Sequence, residues 1–427
     1  MQKPSIKTLA LSFVQDYLPN KPVLALMAAC EFSDQDNLQR ACVTDQCDAL
    51  QALLAQEKTL EDIASALQIA VLDFSRPLHL QPVFIPKPWG QEIWYTGIEE
   101  RGVASVVSAS GSTPLSWLLA LSRQSVLGNQ EQINLLKILD PLPDEVFGDL
   151  YFELHEKKRE VYIVTHVDKK AWPDGVGAIR YGFSAEKRQL YSSDDAFLAA
   201  YKQSVSEYAK IRREIDAQLD VMRERDGIAL NAPVSAGQLQ SWLAQISVEM
   251  QIQEATLRKT MESFTALRNL REGDVLAVPL RTPHALQHGV RTVEFQTPVY
   301  ERKILSFAQK VLTQAHWDTD AALQIAQLET PPDQSFPLLL DKDGVLLEQI
   351  VQFEDFIVQR LVLAAHAEYR CETAGSYVLA MTVVGSVDCA GSVLSAEKAC
   401  LIPACLDSVL LKNASSNAAT VLLARPL

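Results

Sequence analysis

Asp149-Leu-Tyr-Phe-Glu-Leu-His-Glu-Lys-Lys-Arg-Glu-Val-Tyr-Ile-Val-Thr165 and, more than a hundred residues later, Gly273-Asp-Val-Leu-Ala-Val-Pro279-Leu-Arg-Thr-Pro-His284 are the two stretches on which the fold of this chain turns. Glu153 and His155 stand two apart in a strand-like run, so both side chains leave the same face. Residues 156–159 read as a tight turn, and the returning strand brings the Glu160 carboxylate back beside them. In the second stretch Gly273 and Pro279 punctuate a β-rich segment that ends at His284. Glu153, His155, Glu160 and His284 together are a sensible donor set for one divalent ion, zinc first, with manganese, iron, nickel or cobalt also compatible. Taken singly, the two histidines also read as ordinary strand residues and the two glutamates as solvated outer-face residues. The metal reading rests on the joint pattern.

The chain's 427 residues suffice for two or three domains with substantial cores. Its 39 Lys plus Arg stand against 53 Asp plus Glu, a formal charge of −14. That balance argues against nucleic acid or an anionic membrane surface as a general partner. A phosphorylated ligand therefore requires a local basic patch, and the sequence near the motifs offers Lys157, Lys158, Arg159, Arg281, Arg291, Arg302 and Lys303. Seven cysteines lie towards the two ends without a CxxC pair. An odd number and no secretory signal fit reduced thiols and a cytoplasmic location. No run approaches the roughly 18 apolar residues that a membrane-spanning helix needs.

Residues 1–80 read as an N-terminal helical segment. Ile6, Leu9, Phe13 and Tyr17 recur at helical spacing, and Thr59-Leu-Glu-Asp62 has the form of a capping box before Ile63, Leu67 and Val71. Residues 81–330 read as a metal-binding β domain with a helical insertion at about 190–268. Within it Ile211, Ile215, Leu219 and Met222 form one stripe; after a break at Asn231-Ala-Pro-Val-Ser235, Leu239, Trp242, Leu243, Ile246 and Met250 form another. Residues 301–328 suggest an amphipathic helix or two. Pro331-Pro332 marks the start of a last domain, 331–427, whose short alternating runs and turn glycines predict a small β barrel or sandwich without a metal site. The fold class expected is mainly β with helical additions.

The spacings of the two opening stretches match the paired motifs of the cupins, a ligand-x-ligand-x4-Glu segment and a later Gly-x5-Pro-x4-His segment. Ile85-Pro-Lys-Pro-Trp-Gly90 and Thr282-Pro-His-Ala285 narrow the likeness further. From about residue 83 onward the chain resembles the type I mannose-6-phosphate isomerases, metal-dependent cupins with a Pro-Lys-Pro-Trp-Gly segment and a Thr-Pro-His-Ala around the last metal ligand. The resemblance implies cupin (double-stranded β-helix) barrels. It also implies a ligand set in which Glu153 stands where the family has glutamine, His155 and His284 where it has histidines, and Glu160 at the glutamate of its Lys-x-Glu segment. Lys158 is then that segment's lysine, and Arg302 the counterpart of a catalytic arginine. Three departures stand out: the glutamate at 153, a loop of only Glu156 and Lys157 between His155 and the Lys-x-Glu segment, and Tyr300-Glu301 where the family has Ser-Asp before the arginine.

The activity implied is aldose–ketose isomerisation of mannose 6-phosphate to fructose 6-phosphate through an ene-diol. Lys158 and Arg302 would stabilise charge, and Glu294, Lys158 and His288 are the candidate proton-transfer groups. The alternatives are a cupin enzyme acting on a different sugar or sugar acid, and a non-catalytic sugar-binding or regulatory protein. The partner expected is a small sugar or sugar phosphate, on a monomer or homodimer.

Overall fold

The computed structural model describes residues 6–230, 232 and 234–427. The chain divides into two compact units: one of residues up to Ile85, Ile93–Lys137 and Ser335–Leu427, the other of Pro86–Glu92 and Ile138–Gln334. This differs from the partition expected from composition, because residues 93–137 join the unit that contains Ser335–Leu427. Strands Leu78–Gln81, Ser105–Ser108 and Gly111–Pro114 enter one nine-stranded sheet with Ala399–Ile402, Val378–Val384, Ala419–Pro426, Phe356–Leu363, Val345–Gln352 and Leu338–Lys342. Composition shifts mark where a texture changes, but strand pairing is non-local and ignores such boundaries. A four-stranded sheet, Glu368–Glu372, Ser408–Lys412, Ser386–Cys389 and Ser392–Ser395, completes the C-terminal β structure around a core of Leu361, Leu363, Ala380, Leu394, Cys400 and Val421.

The N-terminal segment corrects the helical expectation. Ile6–Val14 is a strand, paired antiparallel with Val23–Phe32 from Ile6↔Glu31 to Val14↔Val23, and Leu38–Thr44 adds a third. Leu11 and Phe13 are the half-buried positions near the strand's end, a period of two that the four-residue spacing of Leu9, Phe13 and Tyr17 obscured. Cross-strand pairing decided between the two patterns. The capping box at Thr59 does open a helix, Leu60–Leu67, with Ile63 and Leu67 buried; Gln68 in left-handed conformation ends it before Val71.

A six-stranded sheet (order Val275–Val278, Glu160–Val167, Val290–Gln296, Leu135–Pro141, Gly90–Trp94, Val83–Lys87), of which the first three strands lie wholly in the second unit, meets that unit's five-stranded sheet (order Thr265–Leu270, Gly177–Phe183, His284–Leu286, Phe152–Leu154, Lys303–Ser306). Tyr162, Val164, Leu276 and Val278 from the first and Ile179, Tyr181, Leu286 and Ile304 from the second share one core. The five-stranded sheet alternates cleanly. Phe152, Leu154, Ala285 and Leu305 turn to its other face and pack against the helical insertion, which leaves Glu153 and His284 on the inner face.

That insertion consists of Ala185–Arg188, Asp194–Arg225, Ala236–Leu243 and Val248–Glu262. Ser193 caps the long helix by accepting from the Ala196 N–H, with Asp194 and Asp195 in its first turn and Arg223 and Arg225 in its last, complementing the helix dipole. Its buried stripe runs Phe197, Tyr201, Tyr208, Ile211, Ile215 and Leu219. Trp242 and Ile246 are buried on the second stripe, with Leu239, Leu243 and Met250 packed around them. The break expected at 231–235 falls partly outside the described residues, at Asn231 and Pro233. Helix ends sooner than expected: Thr265–Leu270 is a strand along Gly177–Phe183. Residues 301–328 hold a single five-residue helix, Thr319–Leu323, among the described residues, because Lys303–Ser306 pairs with Phe152–Leu154.

The Ile85-Pro-Lys-Pro-Trp-Gly90 segment shows why its glycine is needed. Gly90 has φ +143°, and a Cβ there would lie 2.3 Å from the Asp140 carbonyl oxygen. Trp89 is fully buried, and Lys87 pairs with Glu92 at 3.3 Å.

Candidate metal centre

Glu153 and His284 are direct partners across two short antiparallel strands, and His155 follows Glu153 just past the strand end. Glu160 opens the next strand, paired with Val278 on one side and Gln296 on the other. The chain therefore delivers four polar side chains from three strands to the interior of the unit. His155, Glu160 and His284 are buried, and one ligand atom from each lies within 4.8 Å of the others. Glu160 Oε1 is the focus, 2.6 Å from His284 Nε2 and 3.5 Å from His155 Nε2. Glu153 borders this group, its Oε1 3.7 Å from His155 Nε2.

Both imidazoles are oriented by backbone. His155 Nδ1 lies 2.8 Å from the Glu301 carbonyl and His284 Nδ1 lies 3.0 Å from the Thr282 carbonyl. A carbonyl only accepts, so each Nδ1 carries the proton. His155 Nε2 then turns its lone pair inward, as a metal-ligating histidine does, whereas His284 Nε2 faces Glu160 Oε1 at hydrogen-bond distance, sharing a proton that it would release on taking up an ion. His155 Nε2 and Glu153 Oε2 are buried without a hydrogen-bond partner. Orphaned acceptors of this kind fit a divalent cation, and the mixed nitrogen–oxygen set suits zinc or a neighbouring first-row metal.

Burial and close partners set the charges of the cluster. Burial alone would raise the Glu160 carboxyl, but Lys158, His155 and His284 hold it well below the ordinary carboxylate range. Burial likewise opposes an ionised Glu153, yet Arg302 and His155 pull it down. Burial lowers His155 and keeps it a neutral donor, whereas Glu160 outweighs burial at His284 and raises it. Tyr162 donates to Glu160 Oε1 at 2.9 Å, and its own hydroxyl is pushed well up by burial and the surrounding carboxylates.

The other expected site residues are distributed unevenly. Lys158 Nζ sits 2.8 Å from Glu160 Oε2. Arg302 Nη1 is 3.7 Å from Glu153 Oε2, its Nη2 donates to Thr313 Oγ1 at 2.8 Å, and its guanidinium lies over the Tyr151 ring at 4.6 Å. Glu294 is buried opposite Tyr162, one strand from Glu160. His288 is not brought to the cluster: its Nδ1 bonds Asp149 at 2.8 Å and its ring stacks on Trp172 at 4.8 Å. Of the basic patch, Lys303 pairs with Glu156 at 2.7 Å and Arg291 with Asp140 at 2.5 Å.

No family model matches the sequence, and no curated protein matches it in sequence. Solved structures do match in fold. The mannose 6-phosphate isomerase from Bacillus subtilis superposes with a TM-score of 0.55 at 16% identity, covering 82% of this chain and 99% of that one. This chain has the fold of the mannose-6-phosphate isomerases. A variant of the phosphomannose isomerase from Salmonella typhimurium (TM-score 0.53, 12% identity) and a zinc-bound mannose 6-phosphate isomerase (TM-score 0.53, 12% identity) each cover 82% of this chain and are covered over 99% of their own length. At such low identity the likeness speaks for the fold alone, and the chemistry of the centre rests on the residues above.

Within this isomerase fold one residue gains a role the sequence did not assign it. Glu301 Oε1 accepts the backbone N–H groups of Glu156, Lys157 and Lys158 at 2.7, 2.8 and 3.2 Å, while its carbonyl holds His155. One residue thus fixes both the short loop between the ligands and the tautomer of the first histidine. Its only sequence signal is an acidic residue directly before Arg302. Tyr162 was equally silent, although its place two residues after Glu160 puts it on the same face. Glu301→Ala keeps the carbonyl that orients His155 and releases only the loop, so metal affinity should fall by about 10-fold, the low end of the range for outer-shell partners. A competition titration with a chelator measures this; unchanged affinity would mean the loop holds itself.

Proposed function

We propose that this chain is a metal-dependent aldose–ketose isomerase acting on a sugar phosphate of the mannose 6-phosphate type. The observation that carries the reading is the buried cluster of His155, Glu160 and His284, with both Nε2 atoms turned inward and Lys158 and Arg302 at its edge. His155, Glu160 and His284, joined by Glu153, would hold the ion, zinc before other first-row metals. When bound, such an ion supplies Lewis acidity and a fixed orientation for substrate oxygen atoms.

The reaction moves one proton between C2 and C1 of the sugar, through an ene-diol, with no net oxidation. The chain's residues supply the remaining parts. Arg302 and Lys158 offer fixed positive charge for the ene-diolate oxygens or the phosphate. The Tyr151 ring and Thr313 hold the Arg302 guanidinium in place before substrate arrives. Lys158 Nζ and the Glu294 carboxylate are the proposed proton-transfer groups, one in contact with Glu160 and the other opposite Tyr162. His288 suits this part less well, since Asp149 and Trp172 engage it.

One observation favours a second reading, an enzyme of the same architecture acting on a different sugar or sugar acid. Arg302 is engaged by a carboxylate, Glu153, where a neutral ligand would leave it to the substrate. Glu153→Gln separates the two. On the phosphate-sugar reading it weakens metal retention yet raises turnover of mannose 6-phosphate to fructose 6-phosphate, and chelation stops both proteins. Absence of turnover in the metal-loaded parent and the variant alike would favour the second reading or a binding role.

A further inference from the structure

The helical insertion forms one side of a partly open cavity of about 230 Å³, lined from helices Asp194–Arg225, Ala236–Leu243 and Val248–Glu262 and by Pro88, residues 145–147, residues 308–310 and Leu312; no metal-cluster residue lines it. Phe147, Ile215, Leu219, Leu239, Leu243 and Ile246 give it an apolar wall. An apolar cavity of about 150 Å³ takes up benzene, so this one has room for a phenyl-sized body with a short polar head.

Two buried polar groups interrupt the wall. Arg223 is 5% exposed; its Nη1 donates to the carbonyls of Ala229 and Ala232 at 3.3 and 2.7 Å, and its guanidinium lies 5.7 Å from the Trp242 ring centroid. Its closest carboxylate among the described residues, Asp220, stands 3.9 Å away. The other cations of the wall are matched more tightly: Arg212 by Asp216 at 2.8 Å, Lys310 by Asp220 at 2.6 Å and Arg258 by Glu254 at 3.3 Å. Arg223 is thus a buried cation with incomplete compensation, which is costly unless an anion joins it. Gln309, also 5% exposed, donates through Nε2 to the carbonyls of Val146 and Phe147 at 3.4 and 2.8 Å. Those two acceptors fix the amide's orientation, and Oε1 remains a buried acceptor without a partner.

The geometry points to a second ligand site in this cavity, for a small organic acid with an apolar body, a carboxylate that pairs with Arg223 and a hydroxyl that donates to Gln309 Oε1. Because Arg212, Lys310 and Arg258 are each held by a closer carboxylate, Arg223 is the cation of the wall left to meet an anion. Size, apolar wall and the two polar groups together describe an amphipathic hydroxy acid.

Phenyllactate carries all three features and is the probe. Calorimetric titration of the whole chain should show one site, with binding unchanged after the metal is chelated. Phenylpropionate, without the hydroxyl, should bind about 5–10-fold more weakly, and phenylpropanol, without the charge, at least about tenfold more weakly. Gln309→Leu should abolish the preference for phenyllactate over phenylpropionate. Arg223→Met should lose about tenfold or more in affinity, and Leu243→Trp, on a half-buried wall position, should fill the cavity and abolish binding even if Arg223→Met fails to fold. No heat with millimolar phenyllactate, binding that survives Leu243→Trp, or binding lost on chelation would each overturn the proposal; the last would place the ligand at the metal cluster.

Discussion

Alanine at His284 should leave a folded protein that has lost its divalent ion. The histidine contributes the ring nitrogen nearest Glu160, at 2.6 Å, and among the described residues the compact cluster contains only His155 and Glu160 besides it. Orienting partners alone are worth about 10–100-fold in metal affinity, so losing a ligand should exceed about 100-fold. The fold should survive, because the backbone of 284–286 remains paired with Glu153 on one side and with Ile179–Tyr181 on the other. His155→Ala should behave alike. Metal content by mass spectrometry, beside circular dichroism of the same samples, checks both; a variant that keeps one ion per chain would move the metal elsewhere.

The second large effect concerns Arg302. Arg302→Ala should reduce kcat/KM by about 10²–10³-fold, the loss expected for one transition-state charge stabiliser, with metal content unchanged. The split between the two readouts matters because Arg302 also stands 3.7 Å from Glu153. Were its role only to hold Glu153 in place, the variant would lose metal in proportion to activity. Loss of activity at full metal occupancy assigns the guanidinium to the substrate.

The buried cluster of His155, Glu160 and His284, with Glu153 beside it, was legible because its residues obey local rules. A period of two places Glu153 and His155 on one face, a short turn returns Glu160, and Gly273 and Pro279 bracket the strand before His284. The helical insertion was legible for the same reason, its apolar stripes recurring at the period of its own helices. What escaped depends on pairing between distant segments. Ile6–Val14 carries both a four-residue and a two-residue apolar pattern, and only the neighbouring strand Val23–Phe32 selects between them. Residues 93–137 read as part of the metal-binding domain because they adjoin it, yet Ser105–Ser108, with Gly111–Pro114 beside it, pairs with Leu78–Gln81 in a sheet completed by the C-terminal strands. Glu301 escaped because a carboxylate that collects three loop N–H groups has no spacing signature.

An aldose–ketose isomerase must move a proton between adjacent sugar carbons. Metal-reconstituted protein incubated with mannose 6-phosphate in deuterium oxide tests that directly, read by NMR at C2. Deuterium should appear at C2 of the recovered sugar phosphate together with fructose 6-phosphate, and both should stop when the metal is chelated. Retention of the C2 proton across mannose 6-phosphate and related sugar phosphates, at full metal occupancy, would contradict the isomerase reading.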